Sequence, residues 1–230
     1  MLVPTFNNPT YLHQMIAQLH QVGLDKIVVL DNGSAFPPHR RLLEALERDG
    51  VMVVRMGLNF GPRFAMLEPE ILAALPQIFL YSDPDIAFGP DLPARFWETL
   101  EQVSGEKQIG KVGLALAIDE RDRLRQETFD IGGTDYHIWD WEAQFWTRRV
   151  ELANDVVGYD AQIDTTFFLC NKKYYSPADF MRSISLAGPF TAKHLPWYQD
   201  TVIPADEIDF YRARQTASFY SLGPRPAAHE

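Results

Sequence analysis

Four short apolar runs punctuate the first third of the chain: "MLVPTF", "KIVVLDNGS", "VMVVRM" and "IFLYS". Each reads as a buried strand, because the run is short, rich in branched side chains and closed by turn residues. Between them lie stretches with helical periodicity. In "NNPTYLHQMIAQLHQVG", Leu12, Met15, Ile16 and Leu19 share one face, Asn8 is placed to cap, and Gly23 suits the position after the end. "HRRLLEALERDG" turns Leu42, Leu43 and Leu46 inward, and "FGPRFAMLEPEILAAL" is helical with a break or restart at Pro69.

This alternation predicts an α/β domain with a mostly parallel sheet flanked by helices. In such sheets ligands bind beyond the carboxyl ends of the strands. The polar residues that close the strands should therefore open on one edge. They are Thr5 and Asn7, then Asp31 and Asn32, then Asn59, then Asp83 and Asp85.

The later pattern is less regular. "DLPARFWETLEQVSG" reads as a helix with Asp91 as its cap, "KVGLALAI" and "AQIDTTFFLCNK" as strands, and "SPADFMRSI" as a short helix capped by Ser176. Residues 119–160 are aromatic, polar and weakly periodic, and a Pro-rich, frayed tail closes the chain. No linker or repeat divides it. One domain over residues 1–230 is expected, in two halves, 1–115 and 116–230.

Composition narrows the function. The 230 residues are 46% hydrophobic and 23% charged, ordinary for a globular domain, and the net charge of −10 excludes unspecific nucleic-acid binding, which needs a basic face. No window approaches the about twenty apolar residues of a membrane span. The N-terminus lacks the basic flank and apolar core of a signal peptide, so a cytoplasmic protein is expected, able to work at the inner membrane face. The first strand begins at the start of the chain, which leaves room for an upstream segment or a neighbouring domain. Cys170 reads as a small core hydrophobe.

Asp83 and Asp85 carry the strongest chemical signal. Residues two apart at a strand end point the same way, so both carboxylates can face one site. Two hard oxygen ligands suit Mg²⁺ or Mn²⁺, with substrate phosphates completing the shell. The plainer reading is Asp-Pro-Asp as a polar turn. Asp31 can accept a bond from a base or ribose or close a turn, and "DNGS" is itself a turn signal. "NFGPR" brings Gly61 and Arg63 after the third strand. Arg63 could meet a phosphate bidentately; the plainer reading is a surface arginine at a helix start, an electrostatically poor place for a cation.

Taken together, "VPTFNN", "VVLDNGS", "NFGP" and "YSDPDI" resemble the nucleotide-sugar half of a GT-A glycosyltransferase, nearest family 2, over about the first 90 residues. The resemblance implies a nucleoside diphosphate sugar, most often a UDP-sugar, as donor. Pro4, Thr5 and Asp31 would line the uracil and ribose pocket, with Asp83 near ribose and metal and Asp85 as direct ligand of Mn²⁺ or Mg²⁺. It also implies a late histidine, here His194, as a third metal ligand, and Lys193 beside it could steady the diphosphate.

The acceptor, a glycan or glycolipid, would occupy the second half. The acidic pair and the Gln-x-x-Arg-Trp element of many family 2 enzymes are absent. Asp160 and Asp164 in "GYDAQIDTTFF" are the candidate bases, with Glu142 behind them. Asp164 leads, because it interrupts an apolar run and is followed by two threonines; the plainer reading is a carboxylate satisfied by neighbouring backbone or by those threonines. Trp197 and Tyr198 offer flat faces for a sugar, as do Trp139, Trp141, Phe145 and Trp146, and core packing is the plainer reading of each. The expected activity is a metal-dependent, inverting glycosyl transfer serving surface polysaccharide or glycolipid synthesis. The alternatives are a non-catalytic nucleotide- or sugar-binding domain and a nucleotidyltransferase. The latter lacks its Gly-rich loop and lysine after the first strand. A phosphatase would carry its Asp-x-Asp after the first strand, not the fourth.

Overall fold

In the computed structural model, which describes residues 1–214, the four apolar runs are strands at the places their pattern puts them. They are β1 (Leu2–Thr5), β2 (Val28–Asp31), β3 (Met52–Arg55) and β4 (Ile78–Tyr81), parallel and in the order β3-β2-β1-β4. Between them run α1 (Pro9–Gln21), α2 (Pro37–Arg48), α3 (Phe64–Leu67) and α4 (Pro69–Ala74). Pro69 begins α4, so the expected break falls at Glu68. Then follow β5 (Ile86–Phe88), α5 (Phe96–Lys107), β6 (Lys111–Leu116), the hairpin β7 (Thr128–Ile131) and β8 (Thr134–His137), and α6 (Ile138–Ala143). The described chain ends with β9 (Arg149–Val150), β10 (Gly158–Asp160), β11 (Phe168–Asn171), β12 (Ile184–His194) and α7 (Ala205–Arg212).

The large sheet has the order β3-β2-β1-β4-β11-β6-β12-β10-β9, with β5 paired to β12. Only β5, β10 and β11 run against the direction of β1, so the sheet is mostly parallel. The antiparallel β11 matters most for the site. It lies between β4 and β6, with Phe168 opposite both Tyr81 and Gly113. Its beginning, not its end, therefore sits at the edge where β4 ends, and residues 163–167 lie beside Asp83.

Alternation along the strands buries both faces. On one, Val3, Val29, Leu80, Val112 and Leu169 pack with Leu12, Met15, Ile16 and Leu19 of α1 and with Phe96 and Leu100 of α5. On the other, Leu2, Phe79, Tyr81, Phe168 and Cys170 pack against Met66 and Phe180. Each fully buried side chain of this size is worth about 1.5–3 kcal/mol. Burial pushes the Cys170 thiol up to about 12, as suits an inert core residue.

Several local expectations need correction. Gly23 does terminate α1, in the left-handed region at φ 79, where the Leu24 N–H reaches the Leu19 carbonyl at 2.9 Å. Asn8 does not cap α1; its Oδ1 accepts instead from the Thr5 hydroxyl at 2.7 Å and the Phe6 N–H at 3.3 Å. The first turn of α1 is served from far along the chain. Glu207 of α7 accepts from the Thr10 hydroxyl at 2.6 Å and the Thr10 N–H at 3.3 Å. Asp91 does not cap α5, which begins at Phe96 after a left-handed Arg95. Ser176 caps only a single 3-10 turn, accepting from Ala178 N–H. Residues 164–167 are loop, and the strand expected there is confined to Phe168–Asn171. The 11-residue β12 is an addition, hidden in the sequence by Gly188 and Pro189 at its middle. The expected frayed tail lies largely outside the described residues. No described helix is long and apolar enough to cross a membrane.

Candidate active site

A cleft of about 560 Å³ opens at the carboxyl ends of β1, β2 and β4. Pro4 and Thr5 end β1, Asn32 follows β2, and Asn59 and Arg63 follow β3; all five line it. The two loops are braced against each other. Asn32 Oδ1 accepts from the Phe60 N–H at 3.3 Å, and Gly33, at φ 73, brings its Cα against the Gly57 backbone. A Cβ there would lie 3.0 Å from the Gly57 carbonyl carbon. Asn59 Oδ1 accepts from the Gly61 N–H at 2.9 Å and so turns the chain that delivers Arg63.

At the floor are Asp83 and Asp85. Asp83 Oδ2 accepts from the Thr165 hydroxyl at 2.6 Å, and the Asp83 N–H donates to the Thr165 carbonyl at 2.9 Å. Burial, and next the neighbouring Asp85 charge, push the Asp83 carboxyl well above the usual range. Asp85 Oδ2 lies 3.4 Å from His194 Nε2, and the His194 ring stands edge-on to Trp197 at 4.8 Å. Asp85 Oδ1 is buried with no hydrogen-bond partner among the described residues. An unsatisfied buried carboxylate oxygen beside a second acid is the donor set a hard divalent cation fits, with two protein oxygens and the remainder from water and phosphate. The expected trio of Asp83, Asp85 and His194 is not a preassembled cage, since no three such ligands gather among the described residues. His194 instead meets Asp85.

Trp141 and Phe145, which meet edge-on at 5.7 Å, also line the cleft, as do Leu114, Leu116 and Ile131. Among these apolar groups Glu142 lines the cleft, 7% exposed. Burial alone raises its carboxyl to about 8. Asp164 also lines the cleft, but both its oxygens are taken by Arg63, Nε to Oδ1 at 2.6 Å and a second bond from the guanidinium to Oδ2. Arg63 thus sits at a helix start with a carboxylate for partner.

Six expected site residues lie elsewhere or serve another purpose. Asn7, left-handed at φ 54, spends its Oδ1 on the N–H groups of Ala35 and Phe36 and so ties the β1 and β2 loops together. Asp31 closes its own turn by accepting from the Ser34 N–H at 3.0 Å. Behind it His39 is fully buried, and burial lowers its imidazole to about 4 despite Asp31 at 4.0 Å. Gly61 shapes a turn rather than the wall. Lys193 points away from the cleft, because it precedes His194 on a strand and neighbours alternate; it pairs with Glu120. Asp160 is exposed at the end of β10, 3.4 Å from Arg148. Tyr198 is a core residue, its hydroxyl donating to the Ala117 carbonyl at 2.9 Å. Of the four other aromatics, Trp141 and Phe145 line the cleft, while Trp139 packs under Arg121 and Trp146 against Tyr159. Tyr198→Phe is expected to cost about 1 kcal/mol in urea unfolding and to leave nucleotide affinity unchanged. Weakened affinity with unaltered stability would restore Tyr198 to the site.

Two residues with a part in the site escape a reading of the sequence. Thr165 is the hydroxyl donor to Asp83, and Lys111 is a fully buried lysine beneath Asp164. The sequence offered a signal for the second: a lysine opening the apolar run "KVGLALAI".

No family model matches the chain, and neither does any curated protein. Among solved structures, GalNAc-T7 with UDP, GalNAc and Mn²⁺ superimposes at TM-score 0.50 and 14% identity over 92% of this chain and 47% of that one. TarS of S. aureus aligns at TM-score 0.48 and 15% identity, over 92% of this chain and 38% of that one. CMP:2-keto-3-deoxy-manno-octonic acid synthetase with CTP aligns at TM-score 0.37 and 13% identity, over 96% and 81%. The chain thus spans less than half the length of the first two. The fold is GT-A-like, an α/β domain with a mostly parallel sheet.

Proposed function

We propose, from the premise of a GT-A-like fold, that this protein is a glycosyltransferase. It moves a sugar from a nucleoside diphosphate sugar, a UDP-sugar by preference, to a hydroxyl of a glycan or glycolipid acceptor. The transfer inverts the anomeric centre, uses Mn²⁺ or Mg²⁺, and serves surface polysaccharide or glycolipid synthesis at the cytoplasmic side of a membrane. One observation carries the reading: two acids, an arginine and the ends of β1 and β2 share a cleft with an aromatic half that holds a lone buried carboxyl. GalNAc-T7, of similar fold, was solved with UDP, GalNAc and Mn²⁺.

The residues divide the work as follows. Pro4, Thr5 and Asn32 bound the nucleoside, with Asn7 and Asp31 shaping the loops behind it. Asp83 and Asp85 would hold the cation, and His194 orients Asp85. A divalent cation there would neutralise the charge that develops on the departing diphosphate. Arg63 exchanges Asp164 for a diphosphate oxygen pair when the donor enters, since both offer the same bidentate geometry. Glu142 accepts the proton of the acceptor hydroxyl as its oxygen attacks the anomeric carbon, while Trp141 and Trp197 flank the sugar. Asp164, once released by Arg63, is the second candidate for that base.

Calorimetric titration with UDP, GDP and CDP, each with and without Mn²⁺, tests the donor site. Metal-dependent binding of one nucleotide is expected. No binding under any condition would sink the reading. A non-catalytic domain would bind nucleotide yet never hydrolyse the donor sugar, whereas slow hydrolysis is expected of the enzyme. A nucleotidyltransferase would release pyrophosphate from a nucleoside triphosphate.

A further inference from the structure

Lys111 opens β6 and is fully buried. Among the described residues no carboxylate takes its charge at hydrogen-bond distance. Its Nζ donates instead to three carbonyls, Ile163 at 2.6 Å, Asp164 at 2.8 Å and Phe180 at 3.0 Å. The ammonium also lies over the rings of Phe168 at 4.2 Å and Phe180 at 3.9 Å. Burying an ammonium is costly, and here all three donors and two ring faces offset that cost. The environment still lowers its basicity to about 7.

Two of those bonds hold the segment before β11, whose residues Ile163, Asp164, Thr165 and Thr166 line the cleft. Asp164 grips Arg63. Thr165 exchanges two hydrogen bonds with Asp83, one from its hydroxyl and one to its carbonyl. The segment also lies hard on β6, where a Cβ on Gly113 would stand 2.2 Å from the Phe167 carbonyl oxygen. We propose that Lys111 is a positioning residue: by holding the Ile163 and Asp164 carbonyls from beneath, it fixes the segment that presents Asp83 and Arg63 to the cleft.

The inference rests on the proposed function only for what Asp83 binds, so its test has a readout free of ligand. Lys111→Met, one heavy atom shorter, keeps an unbranched side chain between the rings but removes every donor. In the free protein, amide exchange at Asp83, whose N–H bonds Thr165, is expected to quicken by about tenfold or more. The Asn32 amide, bonded to the Thr5 carbonyl at 2.9 Å, should keep its rate. Unchanged exchange at Asp83, or equal quickening at both amides, overturns the proposal. If Lys111→Met does not fold, Lys111→Gln, which retains a carboxamide donor, is judged by the same two amides.

Binding of UDP with Mn²⁺ gives the second reading. Lys111→Met and Thr165→Val should each weaken it about tenfold, and the double variant no further, because both act through one segment. Losses that multiply instead overturn the proposal. Should the unmodified protein bind no nucleotide, the proposed function fails and the amides alone decide Lys111.

Discussion

Asp85→Ala is expected to abolish Mn²⁺-dependent binding of UDP, by about a hundredfold or more, near 2.8 kcal/mol, while the protein unfolds no earlier than before. The two halves of this expectation come from the same atoms. Asp85 Oδ1 is buried and accepts from no described group, so deleting it strands no protein donor at that oxygen. Its charge also stands against Asp83, whose carboxyl it helps to push up. Removing it relieves a buried like-charge contact, which offsets the loss of its 3.4 Å contact with His194 Nε2, so stability should hold. Asp83→Ala makes the contrast, since it forfeits the bond from Thr165 and should cost about 1–3 kcal/mol. Calorimetry for binding and urea unfolding for stability read the two effects separately. Retained Mn²⁺–UDP affinity in Asp85→Ala would reduce "DPD" to a turn.

The second large effect is expected at Glu142. Glu142→Gln should lower transfer by about a hundredfold to ten-thousandfold, as loss of a general base does, and leave donor binding intact. The same variant should be more stable. A carboxyl raised to about 8 has its pKa above that of the unfolded chain, so stability is fullest below about pH 4.5 and falls as pH rises toward 8. At neutral pH glutamine removes a penalty on the order of 3 kcal/mol. In the unmodified protein, transfer should climb with pH through about 8, where Glu142 ionises in the donor-free site, and the variant should lose that limb. Asp164→Asn, assayed beside it, decides between the two carboxyls. Greater loss in Asp164→Asn with a pH limb retained in Glu142→Gln would hand the role of base to Asp164.

The parallel half of the fold was legible because its signals are local. Four apolar runs, a helix face of Leu12, Met15, Ile16 and Leu19, and a glycine after α1 each report their own structure within a few residues. The strand-end rule then brought Thr5, Asn32, Asn59, Arg63 and Asp83 to one edge without knowledge of any contact. It failed at Asn7 and Asp31 because short polar side chains can bond their own loop, and nothing in the sequence says which acceptor wins. Lys193 falls outside the cleft for want of one register: β12 is not visible across Gly188 and Pro189, so the sequence assigns no alternation to the residues leading into His194. Tyr198, beyond that strand, takes the plainer of its two readings, core packing. Lys111 and Thr165 depend on an antiparallel strand inserted between β4 and β6, a pairing that links residues far apart in the chain.

The bond between Glu207 and the first turn of α1 has a bearing on charge. The N-terminus of the helix after the first strand is a common phosphate seat in α/β proteins, because its free N–H groups and its dipole attract anions. Here a carboxylate from α7 already sits against Thr10 at that end. An incoming diphosphate would meet negative charge there and find that N–H group engaged. On the proposed function, its charge would be balanced by Arg63 and by the cation that Asp83 and Asp85 would hold. A helix end closed by an acid would then make affinity for a polyanion conditional on a metal.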